Sequence, residues 1–253
     1  MIPPSEPWWR TFFESPDSFV LSYFPEPQVT RRQVEAILQL LQLEPGERVA
    51  DICCGHCRHL LPLMRAGLEM VGLDVSAMML HVATELGHED GLSPRLVQGV
   101  AQMLPFADGT FDAALNLFNS MGYMDDAQNR QMLAEIARCL RPGGRFLLDT
   151  RNKKFQILFA PYRQIVVLPD GTEFLLRCRY DPTSSRLESV WSAPEDDEDV
   201  LYTASIRLYA PDEIQDMLDE AGFDVLSKLS EYDGTLFAGF ERQLIYRCVK
   251  RPG

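Results

Sequence analysis

Between Arg48 and Asp149 the apolar residues switch period repeatedly, and few folds accommodate that pattern. Arg48-Val49-Ala50-Asp51-Ile52 is a short apolar run suited to a buried strand, whereas Leu60, Leu61, Leu63 and Met64 follow helical spacing between His59 and Arg65. Glu69 to Asp74 forms a second strand, Ser76 is placed to cap a helix, and Met79, Leu80, Val82 and Ala83 give that helix an apolar stripe. Arg95 to Gln98 and Thr110 to Phe118 are further strands. Asp125 to Leu140 is a helix with Met132, Leu133, Ile136, Ala137 and Leu140 inward, and Arg141-Pro142-Gly143-Gly144 ends it before the strand Arg145 to Asp149. Strands that alternate with helices need crossover connections, so the expected fold is a doubly wound, Rossmann-like α/β sheet, with ligands beyond the carboxyl ends of its strands.

The period changes again from Tyr162 to Tyr209. Gln164 to Leu168, Glu173 to Tyr180, Arg186 to Trp191 and Leu201 to Leu208 are strand-like, and Pro169-Asp170-Gly171 and Asp181-Pro182-Thr183 are turns, which together predict an antiparallel insert. A helix starts at Ala210-Pro211-Asp212-Glu213 and stops at Ala221-Gly222, and Phe223 to Leu229 and Gln243 to Val249 complete a mostly parallel seven-stranded sheet. Upstream, Val34, Ile37, Leu38 and Leu41 mark a helix that Pro45-Gly46 stops. The aromatic stretches Pro7 to Phe13 and Phe19 to Phe24 are expected to pack as short segments over a cavity. With 253 residues, close to the size at which single cores stop growing, one domain is expected. Its parts are an N-terminal cap (1–44), a cofactor-binding α/β core (45–160 and 210–253) and an antiparallel lid (161–209).

A formal net charge of −13 opposes binding to a phosphate backbone or an anionic membrane. The run Glu195 to Asp199 and the pairs Arg31-Arg32 and Lys153-Lys154 read as solvated faces. No apolar stretch reaches the roughly 20 residues that span a bilayer, and the first ten residues lack a signal-peptide pattern, so a cytoplasmic protein is expected. Six cysteines, three of them within five positions, do not form a disulfide framework.

Asp51-Ile52-Cys53-Cys54-Gly55-His56-Cys57-Arg58 falls at a strand-to-helix turn, and Asp74 ends the following strand. A nucleoside site has this logic: small residues let backbone approach the ligand, and the second acid accepts from ribose hydroxyls. With Leu104 to Asp112, Asn116 to Tyr123, Arg138 to Gly144 and Asp149 to Asn152 following in order, the chain resembles the class I S-adenosylmethionine-dependent methyltransferases, closely from Val34 to Phe155. Asn116 to Tyr123 and Asp149 to Asn152 are similar to a subgroup with small-molecule acceptors and an antiparallel insert after the fifth strand. The resemblance implies S-adenosylmethionine as cofactor. It places Asp51, Cys53, Gly55 and Leu117 by the methionine end, Asp74 on the ribose, Val75 on adenine, and Val100, Ala101 and Gln102 at the adenine edge. Two positions depart from the family pattern. Cys53 and Cys57 stand where it has glycines, and side chains there are expected to narrow the cofactor gap. Val100 replaces a frequent acid, at a cost of about 0.5–1.5 kcal/mol for one hydrogen bond.

The resemblance also implies in-line methyl transfer to a small-molecule acceptor. Tyr23, Tyr123 and Asp149 are the candidate catalytic groups, and Asn119, Arg207 and Tyr209 the candidate acceptor-binding residues, Arg207 being suited to an anionic acceptor. Asn116-Leu117-Phe118-Asn119 is not the signature of enzymes that methylate nucleobase amino groups. Trp8 and Trp9 read as core, and His56 and His59 as makers of structural hydrogen bonds. No metal is expected, and a homodimer is left open. Two alternatives stand beside this reading: a non-catalytic domain with a degenerate cofactor site, and a dithiol protein using the CxxC of Cys54 and Cys57.

Overall fold

Short apolar strands fold in register because the helices between them can each return the chain to the same sheet edge. The computed structural model describes residues 7–14, 26–168 and 171–252. After helix α1 (Trp8–Glu14) and helix α2 (Pro27–Leu41) come β1 (Arg48–Ile52), α3 (Leu60–Arg65), β2 (Glu69–Asp74), α4 (Ala77–Glu89), β3 (Arg95–Gln98), β4 (Phe111–Asn116), α5 (Asp126–Cys139) and β5 (Leu140–Arg151). Helix α6 (Lys153–Phe159) then leads to β6 (Tyr162–Val167), β7 (Glu173–Asp181), β8 (Arg186–Ser192) and β9 (Val200–Arg207). Helix α7 (Pro211–Glu220), β10 (Phe223–Leu229) and β11 (Gln243–Lys250) complete the fold.

The main sheet has the order β10-β11-β5-β4-β1-β2-β3, and β6 to β9 form a second, four-stranded antiparallel sheet. In the main sheet β11 runs antiparallel to both β5 and β10, and the other neighbours are parallel. Its two faces are covered separately. Phe146, Leu148 and Tyr246 pack with Met132, Ile136, Ile214 and Leu218 of α5 and α7, while Leu147 and Ile245 pack with Ile37, Leu60 and Leu63 of α2 and α3. Alternate residues of one strand point to opposite faces, so a run that is apolar throughout serves both cores.

Capping residues start the helices where expected. Ser76 Oγ accepts from Met79 N at 3.0 Å, and Asp125 Oδ1 accepts from Gln128 N at 2.8 Å in a capping box. Strand β5 is longer than the expected 145–149, because Leu140 already pairs with Phe111. Helix α6 was not expected; Asn152 Oδ1 caps it by accepting from Lys154 N at 3.1 Å.

The second sheet is welded to the carboxyl edge of the first. Arg207 N donates to Gly122 O at 2.8 Å, and Arg186 reaches Gly122 O, Tyr123 O and Met124 O at 3.2–3.4 Å. Gly122 has φ +100°, and a Cβ there would lie 2.2 Å from Arg207 O, so only glycine permits this approach. The acidic run 195–199 is not wholly solvated: Asp197 pairs with Arg177 at 3.3 Å and Arg163 at 3.8 Å. No helix among the described residues is long and apolar enough to cross a membrane.

Candidate active site

The loop after β1 takes its shape from three left-handed residues spaced two apart: Cys53 (φ 63°), Gly55 (φ 53°) and Cys57 (φ 65°). Left-handed backbone in a residue other than glycine costs about 1–3 kcal/mol and persists only where the surroundings enforce it. Here Leu73 O accepts from Cys53 N at 2.8 Å and Cys54 N at 3.0 Å, folding the loop against the end of β2. Asp74 completes the unit, with Oδ2 accepting from Gly55 N at 2.8 Å and Oδ1 from Ser76 N at 3.0 Å. Each carboxylate oxygen keeps a further lone pair for a ligand hydroxyl. Burial raises the Asp74 pKa against the pull of these N–H groups.

A cavity of about 640 Å³ opens on this unit. All nine residues expected to hold the cofactor line it: Asp51, Cys53 and Gly55 at the end of β1, Asp74 and Val75 at the end of β2, Val100, Ala101 and Gln102 after β3, and Leu117 after β4. Gln102 Nε2 donates to Met124 Sδ. Cys57 does not narrow the gap, contrary to expectation. It is fully buried in the core with Leu60 and Leu63, outside the cavity lining, because the left-handed turn carries its thiol under the sheet. Nothing lies within 4 Å of the position a Cβ would take on Gly55. That open space, the locked acid Asp74 and an unpartnered donor on Arg58 suit an adenosyl ligand with a carboxylate tail. Arg58 gives Nη1 to Thr30 Oγ1 at 2.9 Å and Gln33 Oε1 at 2.8 Å, and stacks on Phe118 at 4.8 Å. Its Nη2 is buried with no hydrogen-bond partner among the described residues.

The cavity continues into a chamber between α1 and the antiparallel sheet. Alternate residues of the insert supply one wall: Leu176 and Cys178 from β7, Ser189 and Trp191 from β8, Ala204 and Ile206 from β9. Trp8, Trp9, Phe12 and Phe13 supply another, so the two tryptophans face the cavity as well as packing, a correction to their reading as core. Tyr123 stands between them, 4.9 Å from Trp8 and stacked 5.8 Å from Phe13, ring centre to ring centre. Ser76 Oγ donates to Phe13 O at 2.8 Å and Glu14 Oε1 accepts from Ala77 N at 2.8 Å, which fixes α1 to the start of α4.

The structure divides the expected catalytic and acceptor-binding residues. Tyr123 and Asn119 line the cavity. Burial pushes the Tyr123 phenol up to about 12, so it is a hydrogen-bond donor at neutral pH. Asp149 lies outside the lining and is fully buried. Its oxygens accept from Tyr232 Oη at 2.8 Å, Gln243 Nε2 at 2.7 and 2.8 Å and Phe118 N at 3.2 Å, which makes it a positioning residue for the loop after β4. Arg207 and Tyr209 also lie outside the lining. Arg207 pairs with Asp126 at 3.1 Å and Glu213 at 2.8 Å, and Tyr209 Oη donates to Asp126 Oδ1 at 2.8 Å; the start of α5 and the capped end of α7 take up both side chains. Tyr23 lies outside the described residues, as does the stretch Phe19 to Phe24.

His59 Nε2 meets Gln33 Oε1 at 3.0 Å, and burial holds its pKa well below the usual range; His56 falls to about 4 for the same reason, so both are neutral. The Cys54 thiol hydrogen-bonds to Cys57, and that contact and burial raise its pKa well above the usual value. A dithiol enzyme needs the opposite shift. The residues that sequence reasoning missed are Arg58 and Arg151, which lie within two of the motif segments but carried no expected role, and the individual residues of the lid's inward face, whose period-two alternation was the available signal.

A family model described as "Methyltransferase domain" matches residues 49–144. The chain is 33% identical over 180 residues to a demethylmenaquinone methyltransferase of Corynebacterium kroppenstedtii, covering 71% of this chain and 68% of that one. It is 32% identical over 148 residues to a demethylmenaquinone methyltransferase of Renibacterium salmoninarum, covering 58% of this chain and 56% of the relative. The chain spans only about half the length of most of the curated relatives it matches. Among solved structures, the CcbJ methyltransferase of Streptomyces caelestis matches with a TM-score of 0.78 at 17% identity, over 95% of this chain and 98% of that chain. An S-adenosylmethionine-dependent methyltransferase of Clostridium acetobutylicum matches at 0.75 and 18%, over 94% and 96%; both likenesses speak for the fold alone. The chain belongs to the class I S-adenosylmethionine-dependent methyltransferases.

Proposed function

We propose that the protein transfers the methyl group of S-adenosylmethionine to a small-molecule acceptor held in the aromatic chamber. The observation that carries this is the continuity of one cavity from Asp51, Gly55 and Asp74 to Tyr123 and Trp191. When bound, the cofactor supplies a methyl group on a positively charged sulfur, which an acceptor nucleophile displaces in line, releasing the thioether. Displacement of this kind depends on alignment and on excluding water more than on a base. The residues serve those two needs. Asp74 holds the ribose hydroxyls, Val75 and Val100 flank the adenine, and Arg58 Nη2 takes the carboxylate. Asp149, through Phe118 N, fixes the turn that offers Leu117 backbone to the methionine end. The chamber walls keep water from the acceptor, and Tyr123 orients it by donating a hydrogen bond.

The net charge of −13 supports an acceptor other than nucleic acid. Six unpaired cysteines suit a reducing compartment, the cytosol. Calorimetry with S-adenosylmethionine and with S-adenosylhomocysteine tests the cofactor half, and methyl-labelled cofactor with a pool of small-molecule acceptors tests the transfer. Binding with label appearing in a small organic product is the expected result. No binding at millimolar cofactor would overturn the proposal in favour of a non-catalytic domain.

A further inference from the structure

The acceptor chamber contains a charge that the fold does not use. Arg151, the last residue of β5, lines the cavity, and its Nε is buried. Among the described residues its guanidinium has no hydrogen-bond or ion-pair partner. The other arginines that reach into the structure are all engaged: Arg58 with Thr30 and Gln33, Arg145 with Leu41 O, Gln42 O and Glu47, Arg186 with Ser205 and three loop carbonyls, Arg207 with Asp126 and Glu213. A half-buried cation without a counter-charge is costly, and such a group persists where a ligand supplies the charge.

Its surroundings define that ligand further. Arg151 and Tyr123 line the same cavity, and Arg151 acts electrostatically on the phenol, opposing the rise that burial imposes. Both are donors at neutral pH. A third donor is also unused: the Nε1–H of Trp8, another lining residue, is buried with no acceptor among the described residues. The chamber thus offers unspent donors on walls that are otherwise aromatic and aliphatic, with Phe12 and Trp191 packed together 5.6 Å apart, ring centre to ring centre. Flat ligands pack against such an aromatic wall. The charge count favours a monoanion. Asp51, Asp74 and Glu231 line the same cavity; of the two other arginines in its lining, Arg58 is taken above for the cofactor carboxylate and Arg242 is exposed. A phosphate dianion would meet that acidic field with one half-buried cation left to balance it, whereas one guanidinium matches one carboxylate in geometry and charge.

We propose that the methyl acceptor is a flat, apolar monocarboxylate whose carboxylate pairs with the guanidinium of Arg151 while its body packs among Trp8, Phe12, Tyr123 and Trp191. This rests on the methyl-transfer reading above, since it names what fills the acceptor half of that site.

The test is equilibrium binding to the full chain saturated with S-adenosylhomocysteine. The probes are indole-3-acetate, 4-hydroxyphenylacetate and 1-naphthoate, each against its carboxamide, with phenyl phosphate against phenylacetate as the dianion control. Carboxylates are expected to bind at least about tenfold tighter than their carboxamides, the worth of one charge-assisted pair, and phenyl phosphate no tighter than phenylacetate. Arg151→Met should abolish the preference and Arg151→Lys retain part of it, with S-adenosylhomocysteine affinity within about twofold of wild type in both, which shows the fold intact. If S-adenosylhomocysteine binds but the carboxylates fail to bind, show no advantage, keep their advantage in Arg151→Met, or lose to phenyl phosphate, the acceptor assignment is overturned and the methyl-transfer reading stands. If wild type binds no S-adenosylhomocysteine, both fall.

Discussion

The hydroxyl of Tyr232 donates to Asp149 Oδ2 at 2.8 Å, and the same oxygen accepts the N–H of Phe118 at 3.2 Å. A residue from the loop between β10 and β11 is thereby coupled to the turn after β4, where Phe118 (φ 62°) and Asn119 (φ 67°) are both left-handed. Tyr232→Phe removes one hydrogen bond to a buried carboxylate and should cost about 1.5–3 kcal/mol in urea unfolding. Asp149→Ala should cost more, because Tyr232 and Gln243 lose their acceptor together. A loss under about 0.5 kcal/mol for Tyr232→Phe would show that the contact is idle.

Asp74 fastens the loop after β1 and lines the cavity, so on the proposed reading its loss acts twice. Asp74→Ala is expected to weaken S-adenosylmethionine binding by about tenfold to a hundredfold for each charge-assisted bond removed, with Asp74→Asn intermediate. Calorimetric affinities for the three proteins check this, and equal affinities would remove Asp74 from the site.

Burial, reinforced by the nearby Asp74 and opposed by Arg58, lifts Asp51 from 3.8 to about 7. Between those values the folded chain holds a proton that the unfolded chain has released. Stability from this group therefore falls as pH rises through the window and levels off above it, by up to about 1.4 kcal/mol per pH unit. Asp51→Asn lacks the effect, so its stability relative to wild type should climb from about pH 4 to about pH 7 and then stay level. Cofactor affinity should move the other way, strengthening towards pH 7 in wild type as the carboxylate forms beside a cationic ligand. Denaturant titrations at a series of pH values give the first curve, and a constant offset between the proteins would contradict it.

Gly122→Ala would push a Cβ to 2.2 Å from Arg207 O at a backbone φ of +100°. Destabilisation beyond about 1 kcal/mol is expected. Because the strain sits where the insert joins Tyr123, acceptor binding should weaken more than cofactor binding. Thermal unfolding and separate titrations of the two ligands distinguish this from a uniform loss.

The part of the cavity wall formed by the β1 loop and Asp74 was legible because its parts are local: an acid at a strand end and a turn of small residues announce themselves in a few positions. Even there, composition misled. Cys53 and Cys57 look like obstructions in the sequence, yet both adopt the left-handed backbone that glycine would supply, and Cys57 turns its thiol into the core. The acceptor half was less legible, since its residues are chosen by distant packing. Nothing near Arg145 and Arg151 in sequence tells which will be consumed by a neighbouring helix end and which will face a chamber. Arg207 and Tyr209 stand at the correct end of the insert, and only the placement of Asp126 and Glu213 turns them away. The alternation along β7, β8 and β9 carried the inward face, and the aromatics of α1 were expected over the cavity, but which rings meet which strand was not visible.

Arg186 spans the seam between the two sheets, holding Ser205 O at 2.7 Å and the carbonyls of Gly122, Tyr123 and Met124 at 3.2–3.4 Å. Roof and floor of the chamber therefore share a fastening anchored in main-chain atoms, whose positions survive most side-chain replacements. Residues on the inner face of the roof can be exchanged without shifting it, which leaves this architecture free to vary what it accepts while the donor of the methyl group stays the same.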